Sequence, residues 1–170
     1  MRNRRTYDTE RHAHFLTFSC YKRRRLLDVD RAKKIVLGVL TSQLARQQGR
    51  CAGFVVMPNH VHAIVWFAAD SQISEFVKHW KHRSSVQIKR FLSTRIVSYS
   101  RTINPDDPVW QAGFYDFNIY GPKKLREKLN YMHRNSVEKG LVARTTDWPW
   151  SSARFYEDRR SVGVPVGWLD

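Results

Sequence analysis

A chain of 170 residues is long enough to bury one proper core and too short for two ordinary domains, so a single domain over residues 1–170 is expected. Lys and Arg number 30 against 15 Asp and Glu, a formal charge of +15, and an excess of that size points to a polyanionic partner. A membrane surface is the rival polyanion, but the basic residues are spread along the whole chain and flank no amphipathic anchor, which leaves nucleic acid as the expected partner and no membrane.

Residues 1–11 read as a basic arm in which Arg2, Arg4 and Arg5 either contact phosphates or belong to a solvated tail. Polar residues follow those arginines where a signal peptide needs an apolar run, and Cys20 and Cys51 have no C-x-x-C spacing. A cytoplasmic location with reduced thiols is therefore expected, nucleoid-associated when DNA is bound. His14 to Cys20 alternates as a first strand and ends in the basic turn Lys22-Arg23-Arg24-Arg25. Asp30 is placed to cap a helix whose Ile35, Val36, Val39, Leu40 and Leu44 form one stripe, with Gly49 as its stop.

Phe54 to Met57 and Val61 to Phe67 read as two central strands around a Pro58-Asn59 turn. The uncharged run from Cys51 to Ala69 approaches the length of a membrane span, but Pro58, Asn59, His60 and His62 in its middle argue against one. The next helix carries Ile73, Phe76, Val77, Trp80, Ser84, Ile88, Phe91 and Leu92 on one face. Its other face holds Lys78, His79, Lys81, His82, Arg83, Lys89 and Arg90 with hardly an acid among them. That face is either solvated or lies on a nucleic-acid backbone, with Lys78, Lys81 and Arg83 as the candidate contacts.

Residues 94–109 read as a loop, Trp110 to Tyr120 as a fourth strand, and Pro122 to Lys139-Gly140 as a third helix. Leu125, Leu129 and Met132 form the buried stripe of that helix, while Tyr131 and Asn135 share a polar flank with Lys124 and Lys128. The tail, about residues 145–170, is aromatic and basic and reads equally as a packed clasp or a base-stacking surface. This order describes an α+β fold, an antiparallel sheet with helices packed mainly on one face.

The chemistry signal is Met57-Pro58-Asn59-His60-Val61-His62. Alternate residues of a strand share a face, so His60 and His62 project together about 6.6 Å apart, within reach of one metal ion. Pro58 and Asn59 put the pair at the start of a strand, open to solvent. The same spacing also suits half-buried, hydrogen-bonded histidines. His12-Ala13-His14 repeats it without a preceding turn and reads as structural or phosphate-contacting. Tyr131 by itself reads as either a half-buried edge residue or a nucleophile, and Asp116 as a locally bonded strand aspartate or a carboxylate beside a metal.

In order along the chain, that motif, Trp110-Gln111, Gly113-Phe114-Tyr115-Asp116, Tyr131-Met132 with Asn135, Gly140-Leu141-Val142 and Trp148-Pro149-Trp150-Ser151-Ser152 resemble one family. It is the REP-associated tyrosine transposases, members of the single-tyrosine HUH endonucleases, and the resemblance runs from about Arg4 to Tyr156. The resemblance implies a ferredoxin-like or RRM-like core in which His60, His62 and Asn135 hold one Mg²⁺ or Mn²⁺. Tyr131 would be the catalytic nucleophile, helped by the metal or Lys128. The implied substrate is single-stranded DNA folded into hairpins, cut and rejoined through a 5′-phosphotyrosine. Lys22, Arg23, Arg24, Arg25 and Lys128 join the candidate DNA contacts. Ser136 stands where the family pattern usually has proline, which spares a backbone N–H and lets the helix run on. Monomer and homodimer stay open, as does Tyr131 acting in its own site or a partner's.

Two rivals remain. A metal-dependent hydrolase needs further His or Asp ligands after the pair, and Ala63-Ile64-Val65-Trp66 offers none. A catalytically silent hairpin-DNA-binding protein would keep the basic surfaces, but would have no reason to keep His60, His62, Tyr131 and Asn135 together.

Overall fold

Alternating apolar residues build four strands, β1 (Ala13–Ser19), β2 (Arg50–Val56), β3 (His60–Trp66) and β4 (Tyr115–Ile119). They pair antiparallel in the order β2-β3-β1-β4. Between and after them come helices α1 (Asp30–Arg46), α2 (Gln72–Arg95), α3 (Pro122–Glu138) and the short α4 (Ala153–Asp158). The computed structural model describes residues 12–69, 71–95 and 104–169, so the expected phosphate contacts Arg2, Arg4 and Arg5 lie outside the described residues.

The pleat of the sheet sorts the side chains into two cores. Leu16, Phe18, Val61, Ala63 and Val65 face α1 and α2, meeting Val36, Leu40, Phe76, Trp80 and Ile88. Phe15, Val55 and Ile64 face the other way and meet Leu125, Leu129 and Met132 of α3. The two longest helical stretches other than α3 thus lie on one face, as expected, and α3 is left to cover the face that carries His60 and His62. Ser84 keeps its place in the buried stripe of α2 because its hydroxyl is bonded: Oγ donates to Trp80 O at 2.7 Å and accepts from Trp110 Nε1 at 3.0 Å.

Several boundaries differ from expectation for identifiable reasons. Strand β2 begins at Arg50 and not at Phe54, because its first residues pair with β3 around an irregularity between Cys51 and Gly53 that breaks the alternating pattern. The fourth strand is shorter than Trp110 to Tyr120. Trp110 makes a lone bridge to Cys20, Gly113 at φ +76 turns the chain, and the ladder resumes at Tyr115. Val29 and not Asp30 is the N-cap of α1; Asp30 is the first helical residue. At the other end Gln48 takes the left-handed conformation (φ 54), and Gly49 answers a different need. A Cβ there would lie 2.2 Å from the Phe67 ring.

Helix α3 starts on Pro122 at its first turn and passes through Ser136 to Glu138, with Gly140 at φ +72 just beyond. Of the two readings of the tail, Trp148 and Trp150 form a clasp. Trp150 O accepts from Val56 N–H at 2.8 Å and Ser151 bridges Val55, so the tail covers the outer edge of β2.

Candidate functional site

His60 and His62 sit side by side on β3 with ring centroids 4.8 Å apart, and only 8% and 5% of each is exposed. Each has its Nδ1 engaged. The His60 Nδ1–H donates to Asn59 Oδ1 at 2.7 Å, which keeps the lone pair on Nε2. On His62 the Nδ1 lies 2.7 Å from Thr17 Oγ1 while Nε2 lies 3.1 Å from Asn135 Nδ2. An amide N–H donating to Nε2 requires the proton on Nδ1, where Thr17 accepts it. Burial pushes the pKa of His60 down to about 4, helped by the charges of Arg23 and Lys139. Burial, then His60, then Lys128 push that of His62 down to about 3. Both rings are neutral at physiological pH, the form that ligates a metal.

Asn135, buried on α3, brings the third donor. Its Oδ1 is enclosed and has no hydrogen-bond partner, an arrangement that costs stability unless something binds there. Turning the carboxamide exchanges its N and O, so an oxygen can face the two imidazole nitrogens. Among the described residues no group of three or more His, Cys, Asp or Glu could hold a metal ion, so a third protein ligand beside this pair would be of another type, and the Asn135 carboxamide is within reach. Two neutral imidazoles and an orphaned carboxamide oxygen fit a divalent ion of the Mg²⁺ or Mn²⁺ type, with nitrogen donors favouring Mn²⁺.

Tyr131, one helical turn before Asn135, is half exposed at 50%. Its ring lies 5.8 Å from that of His62, and Phe15 stands behind both, stacked on His62 at 5.2 Å and edge-on to Tyr131 at 5.9 Å. The Lys128 ammonium is 4.5 Å from the Phe117 ring, 5.0 Å from Phe15 and 5.6 Å from Tyr131. A cation is thus held against the phenol by aromatic faces with no carboxylate among these partners.

The other candidate contacts scatter. Lys22 and Arg23 form an exposed left-handed turn (φ 53 and 56) after β1, and Arg23 is close enough to His60 to act on its pKa. Arg24 is committed to Pro108 O and Tyr21 O, and Arg25 to Asp28. Lys81 donates to Gln111 O and Gly113 O, both at 2.8 Å, and so holds the loop before β4. Lys78 and Arg83 are exposed on α2, whose buried stripe packs on the other sheet face. Asp116 does not neighbour the histidine pair. It pairs with Leu16 in register, shares that opposite face and bonds His14 Nδ1 at 2.8 Å, so His14 is structural. Thr17 and Asn59, which orient the imidazoles, were not singled out from sequence. Asn59 could have been, since it adjoins His60; Thr17 becomes visible only through the pairing register.

Fold and site together describe an α+β protein in which two histidines and a carboxamide lie close to a helix-borne phenol. Residues 8–135 match the family model described as Transposase IS200 like, and the chain belongs to that family. It is similar to a REP-associated tyrosine transposase of Escherichia coli K12, with 26% identity over 115 residues, 68% of this chain. A Haemophilus influenzae protein provisionally given the same designation shares 25% over 114 residues, 66% of this chain. The matches span 59% and 62% of those proteins' own lengths. A solved REP-associated tyrosine transposase bound to a REP hairpin has the same fold. Its TM-score is 0.73 at 19% identity, covering 100% of this chain and 94% of that one. No described helix is long and apolar enough to cross a membrane.

Proposed function

We propose that this chain cuts and rejoins single-stranded DNA at the foot of short REP-like hairpins through a 5′-phosphotyrosine on Tyr131. The observation that carries this reading is the convergence of His60 and His62, both neutral, with the orphaned Asn135 Oδ1, beside the exposed Tyr131 phenol. The names of the two relatives and of the solved neighbour supply the REP hairpin as the substrate class.

His60, His62 and Asn135 would hold a divalent ion. When bound, that ion supplies charge neutralisation for the non-bridging phosphate oxygens. The Tyr131 oxygen attacks phosphorus, the bond to the 3′ oxygen breaks, and that oxygen leaves with a proton as a free 3′-hydroxyl. Lys128, 5.6 Å from the Tyr131 ring, offers a positive charge beside the phosphate that the phenol attacks. Lys22 and Arg23, exposed at the His60 end, offer charge to the incoming backbone. In the reverse step a 3′-hydroxyl attacks the phosphotyrosine and returns the phenol, so the bond energy is kept for rejoining.

The test is a denaturing gel of wild type, Tyr131→Phe and His60→Ala with Mn²⁺ and end-labelled oligonucleotides copied from palindromes flanking the gene. A metal-dependent covalent adduct that vanishes in both variants is expected. Hairpin binding by all three proteins with no adduct would sink the nuclease and leave a silent DNA-binding protein.

A further inference from the structure

The side chain of Lys33 is almost wholly buried, 3% exposed, in a chain with abundant surface for lysines. Burying an ammonium is costly unless it is hydrogen-bonded and paired, and here it is both. Nζ donates to Leu27 O and Asp28 O, each at 2.9 Å, and lies 3.3 Å from the Asp30 carboxylate. The rings of Trp150 and Trp148 stand 5.3 and 5.7 Å from it. A methionine would fill the same space without the desolvation cost. What the ammonium adds is a grip on two carbonyls of one loop and two rings of the tail.

Both gripped segments bear on the turn before His60. Leu27 N–H donates to Pro58 O at 2.9 Å, and a few residues earlier Cys20 N–H donates to Asn59 O at 2.8 Å. The tail holds the other side of that turn: Trp150 O accepts from Val56 N–H at 2.8 Å, and Trp148 Nε1 donates to Val56 O at 3.0 Å. Val56 and Pro58 flank Met57, so the backbone is fixed on either side of it from elements that meet at Lys33. The turn ends in Asn59, whose side chain aims the His60 ring.

We infer that Lys33, caged by Trp148 and Trp150, is a positioning residue that sets the pose of His60 without touching metal or DNA. The inference rests on the reading of His60 as a metal ligand. It also gives the Trp148-Pro149-Trp150 stretch a role beyond covering an edge, since the clasp becomes part of the frame that holds the site.

The experiment compares full-length wild type, Lys33→Met and His60→Ala for Mn²⁺ affinity by calorimetric titration, and reads the His60 ring nitrogens by long-range proton–nitrogen NMR. Expected is a folded Lys33→Met protein whose Mn²⁺ affinity falls about 10–100-fold, the range for loss of groups that orient ligands, with displaced His60 ring signals. A folded Lys33→Met with wild-type Mn²⁺ affinity and unmoved His60 signals overturns the inference, even if its melting temperature drops. Should that variant not fold, Trp150→Leu removes a ring beside the ammonium but none of its oxygen partners, and the same two outcomes apply. Wild type lacking any Mn²⁺ binding that depends on His60 would sink the metal reading itself, and this inference with it.

Discussion

Thr17 lies directly across from His62 in the β1–β3 ladder and takes its Nδ1 proton at 2.7 Å. Removing that acceptor leaves the imidazole free to change tautomer and to turn, at a site where a wrong tautomer puts a proton where a lone pair is needed. Thr17→Val keeps the shape and the strand propensity, so a loss of roughly 10–100-fold in Mn²⁺ affinity is expected with little change in melting temperature. Calorimetric titration checks it; unchanged affinity would show that the remaining contacts, Phe15 and Asn135 among them, hold the ring without Thr17. Residue identity by itself marked His60 and His62 as candidates. Their hydrogen-bond partners and their neutral state came from burial and register, which no spacing rule contains.

Helix α3 is the element on which the site depends, because it carries Tyr131 and Asn135 to a sheet that carries the histidines. Its docking point is Gly53 on β2. A Cβ there would sit 2.5 Å from Leu129 Cδ2 and 2.9 Å from Ser152 Oγ. Gly53→Ala is therefore expected to push α3 and the tail off the sheet, costing about 1–3 kcal/mol as overpacking does. It should also depress adduct formation by more than its effect on the folded fraction, since Asn135 moves away from His62. Urea unfolding and the adduct gel, run on the same preparation, separate the two effects; equal losses would mean that α3 keeps its pose. The stripe Leu125, Leu129 and Met132 was legible as a helix, all three now buried. Which face of the sheet it covers was not, because a stripe says that a helix is buried and not against what.

At the scale of the whole molecule, the cores protect groups that resist ionisation. Burial pushes the Cys20 and Cys51 thiols up to about 12 from an ordinary 9.0. Burial, with Cys51 adding, raises Tyr156, which donates to Ala52 O, to about 12 from 10.0. The folded chain thus holds these protons more tightly than the unfolded one. Between about pH 9 and pH 12 the unfolded state binds fewer protons, so the stability these three groups contribute is fully present below pH 9 and is lost as pH rises through that window. Melting temperature followed from pH 8 to about pH 11 should decline. A Cys51→Ser variant that declines as steeply as wild type would remove the thiol from the account.

The sequence alone determined the element order, the histidine pair at a strand start, the tyrosine and asparagine four apart on a helix, and a cationic excess suited to a polyanion. These follow from local periodicity and residue chemistry, which act within a few residues along the chain. Tertiary structure decided the rest. Only the order β2-β3-β1-β4 puts Thr17 beside His62, Asp116 on the far face and α3 over the pair. Only packing set a helix lysine, Lys33, among two carbonyls and two indole rings, and tied Lys81 to the loop before β4. Such contacts join residues distant in sequence through burial and register, and neither is written in any short window of the chain.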